Sequence, residues 1–237
     1  MASSECCSNP PTLSATFGSG HVVKLGGLSS YVNGPIQSKH AILFLTDIFG
    51  YENPILRKLA DKVAAAGFHA VIPDLLHGDP YSPASGPIQE WVKNHEPGKA
   101  VEDVKPVVEE LKREGITAIG AVGYCWGAKV AIQVSKFEGV CAAVLCHPSL
   151  VTVDDIKEIN VPLCVLGAET DQMSPPELLG RFNQIMAQKS EIDSLVKIFP
   201  NVSHGFAVRY NVDDEAASKV AEEAYVDMLH WLQKHVN

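Results

Sequence analysis

"AVGYCWGAKV", residues 121–130, sets Cys125 at the centre of G-x-C-x-G, after an apolar run and before a stretch of small residues. A strand that turns sharply into a helix needs small residues two positions before and two after the turn, and Gly123 and Gly127 supply them. Ala128 keeps the approach open. A thiol at such a turn sits at a helix N-terminus, where the macrodipole favours the thiolate. Cys125 is therefore either a packed core thiol or a nucleophile. Its surroundings in the chain decide between them.

Upstream, "HVVKLGG" and "SSYVNG" carry strand signals that suggest a hairpin. "AILFLTDIFG" (41–50) reads as a buried strand running into a loop. Asn53 and Pro54 then start a helix with the buried stripe Ile55, Leu56, Leu59 and Val63, and Gly67 ends it. "HAVIPDLL" (69–76) is the next strand. The proline-, glycine- and serine-rich stretch after it is long for a plain connection and suggests a lid or pocket wall. Residues 99–114 have helical spacing, with Pro106 starting, kinking or dividing the helix. Strands at 117–125, 140–146, 162–168 and 195–199 alternate with helices near 152–158, from about 175, and over about 213–235. Ser174 and Glu177 have capping-box spacing for the helix from 175.

This alternation predicts an α/β fold, a mostly parallel central sheet with helices on both faces. Active groups then collect at the carboxyl ends of the strands. The residues just past each strand are Asp47, Asp74 with His77, Cys125, His147, Asp171 and His204. Cys125, Asp171 and His204 follow one another in the order nucleophile, acid, histidine, each after a later strand. Asp171 alone is as readily a turn residue opening the next helix, and His204 beside Gly205 a solvated loop residue. The ordered set is more telling than its members.

With those residues in view, the chain resembles the dienelactone hydrolase family of the α/β-hydrolase fold. The resemblance rests on "DIFGYE" (47–52), "VIPDLLHG" (71–78), "GYCWGAKV" (123–130), "GAETDQMSP" (167–175) and "HGFAVR" (204–209). It implies Cys125 as nucleophile, His204 as its base and Asp171 as the orienting acid. It further implies an oxyanion hole built from the N–H groups of Ile48 and Trp126, and an acid beside the thiol, here Asp47, where bacterial members carry glutamate. Asp47 also reads as a simple loop cap. Arg209 matches one arginine of the family's carboxylate clamp, or is a surface residue. His77 and Tyr81 are further candidates for substrate binding, but the loop after "PDLL" supplies no arginine, so the clamp is incomplete.

The chemistry implied is acyl transfer through a thioester on a small-molecule ester, lactone or thioester, without cofactor or metal. Two other readings stay open. One is a glycoside hydrolase, since similar plant proteins carry a β-glucanase label; that chemistry needs two facing carboxylates. The other is a non-hydrolytic ligand sensor that keeps the pocket.

The chain has 237 residues, 46% of them hydrophobic, enough for a substantial core in one domain over 13–237 after a flexible tail over 1–12. A net charge of −9 without a basic cluster argues against nucleic-acid and anionic-membrane partners. No signal-peptide pattern or membrane-length apolar run is visible, so a cytoplasmic protein is expected, as a monomer or weak dimer. Six cysteines in such a chain are expected to be reduced. Cys6 and Cys7, in the polar tail, read as idle, with a weak metal pair or a lipidation site as the other readings.

Overall fold

The computed structural model describes residues 4–35 and 37–237; for Ser4 and Glu5 only the backbone is described. Among the described residues eight strands form one sheet: β1 (His21–Leu25), β2 (Leu28–Asn33), β3 (His40–Leu45), β4 (His69–Pro73), β5 (Ala118–Tyr124), β6 (Val140–Cys146), β7 (Leu163–Thr170) and β8 (Ser194–Ser203). Their spatial order is β1-β2-β4-β3-β5-β6-β7-β8. The β1–β2 hairpin joins β4 antiparallel, and every pair from β4 to β8 is parallel.

Alternation along β3 shows how the layers are sorted. Ala41, Leu43 and Leu45 face one core, Ile42 and Phe44 the other, as strand pleating requires. On the Ile42 side lie α1 (Pro54–Ala65) and α7 (Glu215–His235). On the Leu43 side lie α2 (Ile88–Asn94), α3 (Pro97–Arg113), α4 (Trp126–Val134), α5 (Val153–Glu158) and α6 (Pro176–Ala187). A parallel sheet covered on both faces accounts for strands as uniformly apolar as β5, every residue of which is buried.

Asn53 caps α1 as expected, its side chain accepting from the Ile55 amide at 3.0 Å. Within the stripe expected on α1, Ile55 is only partly buried, and Arg57 is buried instead. Pro106 neither starts nor divides α3, which runs through it. It sits on the exposed face beside exposed Glu102, where the carbonyl left without an N–H donor meets solvent. The capping box at Ser174 does not form. Pro175 is the N-cap residue of α6, and the Ser174 hydroxyl instead donates to Pro148 O at 2.8 Å. The long stretch after β4 contains α2, which periodicity had not revealed because the helix is only seven residues long.

The segment expected to be a tail, residues 1–12, is placed against the domain where it is described. Residues 1–3 lie outside the described residues. From Ser4 on, the segment lies against the domain: a one-turn 3-10 helix spans Ser4–Cys7, and Cys6 is 3% exposed. Arg209 Nη1 donates to the carbonyls of Cys6 and Ser8, and the Ser14 amide donates to Glu52 O. The polar composition of the tail concealed this, because the interactions that hold it are mainly backbone carbonyls taken up by a distant arginine.

Candidate active site

Cys125 occupies the turn between β5 and α4 with φ 51° and ψ −114°, a conformation that non-glycine residues rarely adopt. The glycines around it explain how the turn is made. A Cβ on Gly123 would meet Gly127 O at 2.4 Å, and one on Gly127 would meet Leu45 O at 2.1 Å. The turn therefore presses directly on the end of β3, and only glycine fits.

His204 follows β8 and Asp171 follows β7. His204 Nδ1 lies 2.8 Å from Asp171 Oδ2, a carboxylate that only accepts when ionised, so this nitrogen carries the proton. Nε2 then faces Cys125 Sγ at 3.0 Å. The other oxygen of Asp171 accepts from the amides of Met173 and Ser174, at 2.8 and 3.2 Å. Asp171 is thus both the turn residue and the partner of the imidazole, two roles that had looked like alternatives.

Ile48 and Trp126 border the small cavity above Cys125, together with Ile88 and Val92 of α2, Ser149 and Met173. Trp126 is the first residue of α4, so its N–H has no intrahelical acceptor. Its indole donates to His95 O at 2.8 Å, which ties the end of α2 to α4.

The other candidates are placed differently. Asp47 is buried, with Oδ1 accepting from the Phe49 amide at 3.0 Å and Oδ2 3.3 Å from Arg209 Nε. That last approach pairs opposite charges, but its angles fall outside hydrogen-bond geometry. Burial pushes the Asp47 carboxyl up, and the charge of Arg209 opposes the shift. Arg209 is buried and turned towards Asp47 and the tail carbonyls rather than lying on the surface. His77 is exposed and paired with Asp103 at 2.8 Å, away from the Cys125 cavity. Tyr81 donates to Gly86 O and touches Cys7. His147 is fully buried beside His204, its ring centroid 5.1 Å away, and burial holds it neutral.

Two side chains in the site were not anticipated, Cys6 and Ser149. Cys6 Sγ lies 3.9 Å from Cys125 Sγ, and Ser149 Oγ lies 3.3 Å from Cys125 Sγ and 3.7 Å from Cys6 Sγ. Ser149, two positions beyond His147 at the end of β6, followed the strand-end rule that the sequence offered. Cys6 followed no rule. All six cysteines are free thiols.

The charges in this cluster are coupled. The hydrogen bond from Cys125 holds the Cys6 thiol far below its ordinary value, at about 4. Burial, then the neighbouring Cys6, pushes Cys125 well up. Burial alone would depress His204, but its bond to Asp171 and the nearby charge of Cys6 outweigh that and bring it to about 8. The two thiols are thus shifted in opposite directions, Cys6 down and Cys125 up, beside a raised His204. The donor atoms of Cys6, Cys125 and His204 all lie within 4.8 Å of one another, a spacing open to a thiophilic cation as well as to a shared proton.

The cavity that touches Cys125 is only about 10 Å³, with Cys6 in its wall. A larger cavity of about 740 Å³ is bordered by His204, Arg209 and residues 9–12.

A sequence model of the dienelactone hydrolase family matches residues 28–236. The chain belongs to that family. As a family member it is a hydrolase, and the sheet described above is that of the α/β-hydrolases. It is 42% identical over 197 residues to an endo-1,3;1,4-beta-D-glucanase of Zea mays, covering 81% of this chain and 64% of the maize protein. It is 32% identical to hydrolase pyvD of Aspergillus violaceofuscus, over 92% of this chain and 91% of that one. A carboxymethylenebutenolidase homolog of Mus musculus is 30% identical, with 92% of both chains covered. Among solved structures, a dienelactone hydrolase candidate from Klebsiella pneumoniae superposes with a TM-score of 0.72 at 22% identity, over 87% of this chain and 92% of that one. Among the described residues, no helix is long and apolar enough to cross a membrane.

Proposed function

We propose that this hydrolase cleaves small esters, lactones or thioesters with Cys125 as nucleophile, His204 as acid–base and Asp171 as the group that orients the imidazole. The observation that carries the reading is the line from Asp171 Oδ2 through His204 to Cys125 Sγ, at 2.8 and 3.0 Å, on a turn of positive φ. His204 takes the Cys125 proton, the thiolate attacks the acyl carbonyl, and the oxyanion that develops is held by the N–H groups of Trp126 and Ile48, each typically worth about 3 kcal/mol. His204 gives its proton to the leaving oxygen or sulfur. It then draws a proton from the water that releases the acid from the thioester. Asp171 keeps Nδ1 protonated throughout and steadies the imidazolium.

Arg209 does not act as a free carboxylate clamp in this arrangement, because Asp47 and two tail carbonyls face its guanidinium. Substrate also needs Cys6 to move, since about 10 Å³ above Cys125 holds no acyl group.

The maize relative raises glucan hydrolysis as a second reading. Both acids near the thiol are already engaged: Asp171 by His204 and two amides, Asp47 by Arg209 and an amide. Neither faces a sugar-sized cleft as one of a pair, which favours acyl transfer. The test compares p-nitrophenyl acetate, enol lactones and mixed-linkage β-glucan on the wild type and Cys125→Ala. Loss of ester turnover in the variant, with an acyl adduct on the wild-type Cys125 peptide after acid quenching, supports the reading. Full ester turnover by folded Cys125→Ala sinks it.

A further inference from the structure

Cys6 lies in a polar segment, yet it is buried to 3% exposure against the sulfur of Cys125. Arg209 holds it from behind, taking both the Cys6 and Ser8 carbonyls. Its thiol fills the space that an acyl group on Cys125 would need. The sulfurs are 3.9 Å apart, so closing to the length of a disulfide takes a further approach of about 2 Å. Cys6 is on a one-turn 3-10 helix outside the sheet, so that approach disturbs no strand pairing.

We infer that Cys6 and Cys125 form a reversible oxidation site, in which a hydroperoxide converts the two thiols into a disulfide that fastens the N-terminal segment across the nucleophile. The ionised sulfur attacks the hydroperoxide oxygen, the O–O bond breaks, and a sulfenic acid forms while the alcohol or water leaves. The second thiol then attacks the sulfenic sulfur. The S–S bond forms, the S–O bond breaks, and hydroxide leaves to take up a proton as water. One hydroperoxide is reduced for two thiols oxidised. Two equivalents of a small thiol reverse the lock.

Ionisation of the cluster at neutral pH supplies the reactive thiolate, and His204 beside both sulfurs offers the proton that the departing oxygen needs. Cys7 lacks this setting: it is half-buried beside Tyr81, and burial pushes its thiol up. Oxidation at the pair also protects Cys125. Sulfenic acid that meets no second thiol proceeds to sulfinic acid, which ordinary thiols do not restore.

The consequence for activity rests on Cys125 being the nucleophile, as proposed above, whereas the covalent link does not. The test therefore reads both, on the full chain treated with hydrogen peroxide. Trypsin separates the thiols into peptides 1–24, holding Cys6 and Cys7, and 114–129, holding Cys125. Wild type and Cys7→Ser should give the two peptides joined, less two hydrogens. Cys6→Ser should give none of the joined species and instead a sulfinic Cys125 peptide. Ester turnover in the wild type should fall roughly tenfold or more and return with dithiothreitol, but stay lost in Cys6→Ser. A sulfinic Cys125 in the wild type without the joined peptides, or a link that survives in Cys6→Ser, overturns the inference. If the chain has no ester turnover at all, the joined mass still decides.

Discussion

Arg209 Nε stands 3.3 Å from Asp47 Oδ2, with both side chains 1% exposed. This one pair joins the loop after β3, the loop after His204 and the N-terminal segment. Removing Arg209 leaves a carboxylate buried without its charge partner and two tail carbonyls without a donor. Arg209→Met should cost about 3–5 kcal/mol in urea unfolding at neutral pH, and Arg209→Met with Asp47→Asn should cost less than the sum of the two single changes. The penalty should also depend on pH. Burial already raises Asp47, and without Arg209 its folded value rises further. A group raised in the folded state favours folding below its unfolded value and loses that contribution as pH climbs through the folded one. The variant should therefore recover stability relative to wild type on acidification towards pH 5. A penalty equal at pH 5 and pH 8 would show that Asp47 is not the charge at stake.

Glycine at the Cys125 turn is required by space. Gly127→Ala drives a methyl into Leu45 O and Thr46 O, at 2.1 and 2.4 Å in the present backbone, so β3 and α4 must separate. Ester turnover should fall by about a hundredfold, the loss expected when reacting groups shift by about 1 Å. Gly180, inside α6, has nothing within 4 Å of its would-be Cβ. Gly180→Ala should raise stability by about 0.5–1 kcal/mol and leave turnover unchanged. A tolerated Gly127→Ala in thermal melts and turnover would contradict the steric account.

His147 has a ring fully buried with neither nitrogen bonded among the described residues, and it packs against Tyr124, His204 and Phe206. An unpaired buried polar group costs about 1–3 kcal/mol. His147→Phe keeps the aromatic packing and removes that cost, so its midpoint in urea should equal or exceed that of wild type. A loss of more than about 3 kcal/mol would mean that the imidazole nitrogens have a partner that matters.

The parts of this molecule that could be read from sequence were those set by local rules. Continuous apolar runs marked the buried strands, the Asn53-Pro54 pair marked α1, and the glycines around Cys125 marked the turn. Cys125, Asp171 and His204 lie together because each sits at the carboxyl end of a parallel strand, a rule independent of any pairwise contact. What escaped depends on long-range pairing. Cys6 and Cys125 are 119 residues apart, and Arg209 reaches a carbonyl 203 residues away, so neither contact leaves a local pattern. Arg209 looked as well suited to the surface as to a site, because guanidinium burial depends on partners that composition does not disclose. His77 looked like a site residue from its position after β4, but the positive φ at the turn leaves its side chain exposed to meet Asp103.

The charge state of the paired sulfurs has its own signature in alkylation kinetics. An isolated thiol near pKa 8.5 reacts with iodoacetamide about tenfold more slowly for each pH unit below that value, because only the thiolate attacks. In the Cys6–Cys125–His204 cluster the thiolate forms at about pH 4 and the imidazolium persists to about pH 8. Cys6 is thus ionised throughout the interval, and its alkylation should change little between about pH 5.5 and 7.5. Movement of the N-terminal segment limits the absolute rate, but it adds no proton equilibrium of its own. Cys141, in the same chain, is raised by burial and should show the ordinary steep dependence, so it serves as the internal control. His204→Ala removes the imidazolium and should restore a slope to Cys6; in Cys6→Ser burial still raises the Cys125 thiol, which should alkylate with a steep dependence. Mass spectrometry of the alkylated peptides against pH measures all three. A wild-type Cys6 curve as steep as that of Cys141 would mean that Cys6 is an ordinary buried thiol, not one held ionised beside His204.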